Sequence, residues 1–248
     1  MKTHILVVTL LISLLLATRA AGSTKDSIFD AAAKGDIETV DELLAGGTSV
    51  DTTDQEGRTP LMFASGTGQN PLIYALLSKG ADIKAQDKVG RTPLMYAAWK
   101  GQPETIKVLL SMGAPLDAKS MSGLTAIMYA ARFGNTEAAK VLFEAGADLN
   151  HKSQSGLTAL MSAAWYGHTE TVKFLITNGA DLNSKDEEGR IALFHAADGG
   201  YEEIVKVMLK KGVDLSAKDK NGNTALKIAE LKGHSEIAKL LKNAGAKE

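Results

Sequence analysis

The sequence of 248 residues is 44% hydrophobic and 23% charged, a balance that argues against disorder and suits one sizeable core or an array of repeats. Its formal charge of −1 becomes −3 once Lys2 and Arg19 are set aside with the N-terminal segment, leaving 26 basic against 29 acidic residues, so no net field recruits nucleic acid or anionic lipid. There is no cysteine, which excludes disulfides, thiolate metal sites, a cysteine nucleophile and a lipid-modified N-terminal cysteine.

In chain order, Met1 to His4 supplies a short basic start through Lys2. Ile5 to Ala17 is an apolar run without a charge, and Thr18-Arg19-Ala20-Ala21-Gly22 offers small residues for cleavage. That order predicts a secretory signal peptide over residues 1–22, cut between Ala20 and Gly22. The run of 13 residues is well short of the ~20 that a spanning helix needs, so no membrane association is expected after cleavage. An exported chain without cysteine and without an Asn-x-Ser/Thr acceptor fits a bacterial periplasm better than a disulfide-dependent exterior. The expected location is therefore periplasmic, with secretion as the alternative.

From Ser27, "SIFDAAAKGDIETVDELLAGGTSVD" predicts two short helices, with Phe29 and Ile37 expected to be buried. Six related segments follow: "DQEGRTPLMFAS" from Asp54, "DKVGRTPLMYAA" from Asp87, "SMSGLTAIMYAA" from Ser120, "SQSGLTALMSAA" from Ser153, "DEEGRIALFHAA" from Asp186 and "DKNGNTALKIAE" from Asp219. Each starts 33 residues after the last. A fixed period of this size means an all-α solenoid whose units bury their apolar faces only by stacking. Its divisions are an N-terminal capping unit at 23–53 that lacks its hairpin, repeats at 54–86, 87–119, 120–152, 153–185 and 186–218, and a C-terminal capping unit at 219–248, about seven units in all.

Local physics predicts helix, turn, helix, hairpin in each unit. Thr59-Pro60 and Thr92-Pro93 place a side-chain cap before a proline whose missing N–H costs nothing at the first helical position. First helices stop at Gly68, Gly101, Gly134, Gly167, Gly200 and Gly233, and second helices such as "TETVKFLITNGADLN" close on a glycine like Gly179, suited to a left-handed C-cap. Two units should be looser: Ile191 replaces the capping threonine, and Gly66 interrupts a helix at ~1 kcal/mol against alanine. Lys239 and Lys242 mark the last helix as a polar cap whose removal should loosen the array.

The phrase Thr-Pro-Leu-x-x-Ala-Ala-x-x-Gly-His, followed by an amphipathic helix ending in Gly-Ala-Asp, closely resembles the ankyrin repeat over almost the whole chain after residue 22. The family usually has histidine after Thr-Pro-Leu, tying neighbouring hairpins together; here Met62, Met95, Met128, Met161, Phe194 and Lys227 stand there. A methionine stripe at this spacing is expected to be a core ladder rather than a soft metal surface, which leaves the hairpins to be tied in some other way.

The resemblance implies no enzyme and no cofactor. It also implies a partner docked on the concave side, on hairpin tips and on the two residues that end each first helix. Those pairs include Trp99-Lys100, Arg132-Phe133 and Trp165-Tyr166, and both tryptophans of the chain are among them. The expected partner-binding residues are Trp99, Met121, Leu124, Arg132, Phe133, Leu157, Trp165 and Tyr166, with Ser122 and Ser155 beside them and Arg58, Arg91 and Arg190 as a basic border. Part of the aromatic surface should be absorbed by Tyr96 and Tyr129 on the same helix face.

Catalytic and metal motifs are missing: there is no His-x-x-x-His, phosphate loop or nucleophile elbow. His168 and His234 occupy the family's Gly-His turn, His195 lies on a first helix and His151 on a hairpin. An enzyme reading would gain only if His195 shared an enclosed pocket with a carboxylate. The expectation is a protein-interaction module, monomeric when free. Its partner would be an exported enzyme that it inhibits or protects, for example a cell-wall hydrolase in self-protection; a host protein bound by a secreted effector, or a glycan strand in the groove, is the alternative.

Overall fold

The computed structural model describes residues 27–247; the expected signal segment lies outside them. Helices come in antiparallel pairs. The first members are α1 (Ile28–Lys34), α3 (Pro60–Thr67), α5 (Pro93–Trp99), α7 (Ala126–Arg132), α9 (Ala159–Trp165), α11 (Ala192–Asp198) and α13 (Ala225–Leu231). The second members are α2 (Ile37–Ala45), α4 (Asn70–Ser78), α6 (Pro103–Ser111), α8 (Thr136–Glu144), α10 (Thr169–Thr177), α12 (Glu202–Lys210) and α14 (Ser235–Asn243). Every first helix packs on the next first helix and on its own second helix, and from α4 onward the second helices also contact one another. The result is a two-layer, all-helical solenoid.

The first helices are almost wholly apolar because neighbours cover both sides. Ala97, Ala98, Ala130, Ala131, Ala163, Ala164, Ala196 and Ala197 are fully buried, and their small size lets the row stack closely. Met62, Met95, Met128, Met161 and Phe194 form a buried ladder through that row, while Lys227 ends it exposed. Second helices bury one stripe, for example Val172 and Leu175 of α10, and are polar outside. At the N-terminal end Ile28 and Val40 are buried and Phe29 is half-buried, but Ile37 is exposed. It is the first residue of α2, and it meets no core there.

Helix starts follow the chemistry of the threonines. Thr59, Thr92, Thr158 and Thr224 each accept the N–H three residues on, at 3.2–3.4 Å. Thr125 makes no such bond, and its buried hydroxyl oxygen has no partner among the described residues. Ile191 gives up the bond but is completely buried, so apolar contact replaces a cap there. Each first helix is followed by a glycine with φ between 68° and 79° at Gly35, Gly68, Gly101, Gly134, Gly167, Gly200 and Gly233, the left-handed region that only glycine enters readily.

Three recurring sets of bonds tie successive units together, one of them from the N–H of Asp82, Asp181 and Asp214 to side-chain oxygens of Asp51, Asn150 and Asn183 at 2.8–2.9 Å. The residue after each helix-ending glycine from Gly68 onward reaches back to the first helix of the preceding unit. Asn135 Nδ2 donates to Ala98 O at 3.0 Å and Trp99 O at 2.7 Å. His168 Nε2 is 3.0 Å from Arg132 O, and His234 Nε2 is 3.1 Å from Asp198 O. These carbonyls belong to the last helical turn, where no intrahelical donor remains. His168 and His234 thus satisfy a helix end. Tyr201 sets its ring against Gly167 instead. The hairpins are tied by one backbone bond per junction, from Lys88, Met121, Gln154, Glu187 and Lys220 N–H to Glu56, Val89, Ser122, Ser155 and Glu188 C=O, at 2.9–3.0 Å. Backbone groups therefore do what the family's histidine does, and the methionine ladder leaves no gap in the hairpin row.

Candidate functional site

The hairpins from Asp54 to Arg190 fall into two chemical types, and in the last one Asp219 holds the Asn223 amide at 3.2 Å in place of a guanidinium. Where the first residue is Asp54, Asp87 or Asp186, one carboxylate oxygen accepts the N–H groups two and four residues on, at 2.8–3.0 Å. The other oxygen holds the guanidinium of Arg58, Arg91 or Arg190 at 2.6, 2.6 and 3.0 Å. Where the first residue is Ser120 or Ser153, its hydroxyl accepts the N–H of Leu124 or Leu157 at 3.1 Å and pairs with the hydroxyl of Ser122 or Ser155 at 3.1 and 3.0 Å, but meets no cation among the described residues. With no second acceptor there, the fifth position is apolar and turns inward.

Leu124, expected on the binding surface, is consequently buried at 8% exposure and belongs to the core. Leu157 is half-buried and packs on the same core. The basic border also needs correction. Arg58, Arg91 and Arg190 are clamped to their own hairpins and lie over Phe63 at 4.6 Å, Tyr96 at 4.9 Å and Trp165 at 5.8 Å. They stiffen the unit rather than frame a partner.

The other expected residues form one run across α5, α7 and α9. Lys100 Nζ sits 4.7 Å from the Trp99 ring, and Trp99 is 5.4 Å from Phe133. The Arg132 guanidinium lies 6.0 Å from Phe133 and 5.3 Å from Tyr166, and Nη2 donates to the Tyr166 hydroxyl at 2.9 Å. Tyr166 in turn stacks on Trp165 at 6.3 Å. Phe133, Trp165 and Tyr166 are 43–44% exposed and Met121, on the hairpin tip, is 66% exposed; Arg132 is exposed and Trp99 half-buried. As expected, Tyr96 and Tyr129 are buried beneath. Rings of ~150–250 Å² each, exposed to this degree beside Met121, reach the few hundred Å² at which a patch signals interaction.

Sequence reasoning did not place Val89 in the site. It is 48% exposed at the adjoining hairpin tip, and its carbonyl accepts the Met121 N–H. The available signal was an apolar residue where the other hairpins carry Glu56, Ser122, Ser155, Glu188 and Asn221.

Two buried polar pairs lie under the rings. The Tyr96 hydroxyl donates to Asp87 Oδ2 at 2.7 Å; burial, then this bond, pushes the phenol well above its ordinary pKa. One helix position equivalent, His195 Nε2 lies 3.3 Å from Asp186 Oδ2, an ion-pair distance without a well-aligned hydrogen bond. Burial opposes the Asp186 charge, but the His195 side chain, the Arg190 N–H and the Arg190 charge outweigh it and hold the carboxyl at about 2. The His195 and Asp186 side chains are 4% and 2% exposed. Two surface depressions, around Ala238–Lys242 and around Asp41–Lys79, lie at the ends of the array, away from this pair. Among the described residues no group of three or more His, Asp or Glu is placed to hold a metal ion, and no helix is long and apolar enough to cross a membrane.

Comparison with known proteins fits this geometry. The family model for ankyrin repeats (3 copies) matches residues 28–120, 113–186 and 178–248. The chain belongs to the ankyrin-repeat family. No curated protein matches it in sequence. Among solved structures, the human ASB11 ankyrin repeat domain is similar, with a TM-score of 0.80 and 25% identity over 89% of this chain and 98% of that one. Ankyrin repeats indicate a protein–protein interaction module, and their scaffold is typically non-enzymatic. In this ankyrin array the run from Lys100 to Trp165 crosses the middle units, where neighbours on both sides hold the first helices rigid.

Proposed function

We propose that the protein binds an exported enzyme in the periplasm and inhibits or protects it, with the middle units as the docking face. The observation that carries the docking face is the exposed run of Phe133, Arg132, Tyr166 and Trp165 beside Met121. Aromatic and arginine side chains concentrated at the centre of a rigid face are the composition in which interface energy gathers. The leader-like residues 1–22 and the absence of cysteine support an exported partner, and a cell-wall hydrolase that the cell must restrain is one such enzyme.

The test is affinity capture from the exported fraction, comparing wild type with a Met121→Ala, Phe133→Ala, Trp165→Ala variant whose helicity is checked by circular dichroism. The expected result is one enzyme retained by wild type and lost from the variant, with its activity altered in the complex. Equal capture by both, or none, overturns the assignment of the face. Retention of purified glycan without protein replaces the partner class, and a partner found only in another organism's lysate replaces the location.

A further inference from the structure

The charges on the same face are unequal, and this gives the partner a chemistry. Lys88, Lys100 and Arg132 are exposed within or beside the ring cluster, and among the described residues none of them has a carboxylate at ion-pair distance. The cations that neighbour them in sequence are different: Arg58, Arg91 and Arg190 are held by Asp54, Asp87 and Asp186. Of the nearby acids most are engaged as well, while Glu187, exposed on the hairpin beside Ser155, has no ion pair among the described residues. Asp87 has no exposed side-chain surface, and Glu56 meets Arg58 at 3.4 Å. Further along, Asp198 meets Lys232 at 2.9 Å and Glu188 meets Lys220 at 3.7 Å. The middle of the face therefore presents cations that the fold itself does not neutralise.

Their placement is specific. The Lys100 ammonium rests on Trp99 and the Arg132 guanidinium lies between Phe133 and Tyr166. Arg132 uses one N–H on the Tyr166 hydroxyl, and a guanidinium has five, so a pair remains for a carboxylate in the two-pronged geometry that arginine favours. Ring stacking fixes both cations without neutralising them.

Resting on the docking face assigned above, we infer that the occupant is a protein segment in which one or two Asp or Glu side chains flank an apolar side chain. The carboxylates meet Lys100 and Arg132, and the apolar group enters among Met121, Phe133 and Trp165. Opposed charges of this kind set orientation and association rate, while the rings supply the affinity.

The probe is a random peptide library displayed on phage and selected on the purified protein, followed by titration of one selected peptide. Trp99 and Trp165 are the only two tryptophans of the chain and both are in the run, so intrinsic fluorescence reports occupancy directly. Expected are selected sequences enriched in Asp or Glu next to an aromatic or aliphatic residue. Affinity should fall roughly tenfold in Lys100→Glu and in Arg132→Glu, less in Arg132→Lys, and should weaken as salt rises. Selection of basic or uncharged peptides, of none at all, or affinity indifferent to both reversals overturns the inference. If an exported protein is captured through Phe133 and Trp165 but is insensitive to Lys100→Glu and Arg132→Glu, the docking face stands and its acidic occupant does not. Binding of an anionic glycan in place of peptides overturns both.

Discussion

The indole of Trp165 lies flat on the buried imidazole of His195, with ring centroids 4.9 Å apart and planes 10° from parallel. A half-exposed ring in one unit is thereby seated on a buried group of the next, and that group is itself set against Asp186. The presented surface and the polar interior of the stack are one assembly.

Removing the seat should disturb both. His195→Ala should cost roughly 2–3 kcal/mol by leaving a void beside Asp186 and should shift Trp165 emission to the red. His195→Tyr should stay within about 1 kcal/mol of wild type, because Tyr96 already donates to Asp87 from the equivalent position. Urea denaturation followed by fluorescence measures both; an alanine variant as stable as wild type would show the pair to be idle.

Acid should unfold the array through its hairpin carboxylates. Asp186 is held at about 2, and Asp87 is also lowered against its burial by the Arg91 N–H, the Tyr96 hydroxyl and the Arg91 side chain. Folded values below the unfolded 3.8 mean stability that is fully present above about pH 5 and lost as pH falls from there towards 2, about 2 kcal/mol for Asp186. Denaturation midpoints at about pH 6 and pH 2.5 give the loss, and Asp186→Asn should shrink it.

Two glycines two residues apart should respond in opposite directions. Gly66 sits inside α3 with φ in the ordinary range, and a Cβ there would meet Lys100 Cγ at a comfortable 3.6 Å. Gly66→Ala should therefore raise stability by up to about 1 kcal/mol. Gly68 has φ +79°, and its Cβ would come 2.7 Å from Gln102 Oε1, so Gly68→Ala should lower stability by about 1–2 kcal/mol. Thermal melts of the pair settle it, and equal signs would contradict the structure.

The reach-back residues should matter beyond their size. Asn135→Ala removes both donors to Ala98 O and Trp99 O and should cost about 1–2 kcal/mol. Hydrogen exchange should show faster opening of α5 than of α11, and uniform protection would deny these bonds their part in coupling the units.

The period, the caps, the helix-ending glycines and the buried methionine ladder were legible in the sequence, because each follows from the backbone chemistry of a single unit. The state of the basic border was not. Arg58, Arg91 and Arg190 look free in the sequence, and only the matching of Asp with Arg against Ser with Leu, four positions apart across the hairpins, foretells that they are clamped. Leu124 was misread for the same reason, since a serine hairpin leaves its fifth side chain nothing to do but turn inward. Phe133, Tyr166 and Trp165 were found because they stand on helix ends. Lys100 and Arg132 differ from Arg58, Arg91 and Arg190 through the lack, among the described residues, of a carboxylate at ion-pair distance, which a linear reading does not show.

Most bonds between units run one way, although the Gln86, Arg132, Asn150 and Lys152 side chains donate forward, to Lys119 O, the Tyr166 hydroxyl, Gly179 O and Lys185 O. At the helix ends and hairpin tips a side chain or N–H from the later unit completes a carbonyl of the earlier one, so there each unit is completed by its successor. In the last described unit a Cβ added at Gly222 or Gly233 would meet nothing within 4 Å among the described residues, whereas at Gly156 or Gly200 it would strike the unit that follows. The C-terminal end is in this sense an open socket. A further unit of the same pattern would plug in there without altering a residue of the described seven.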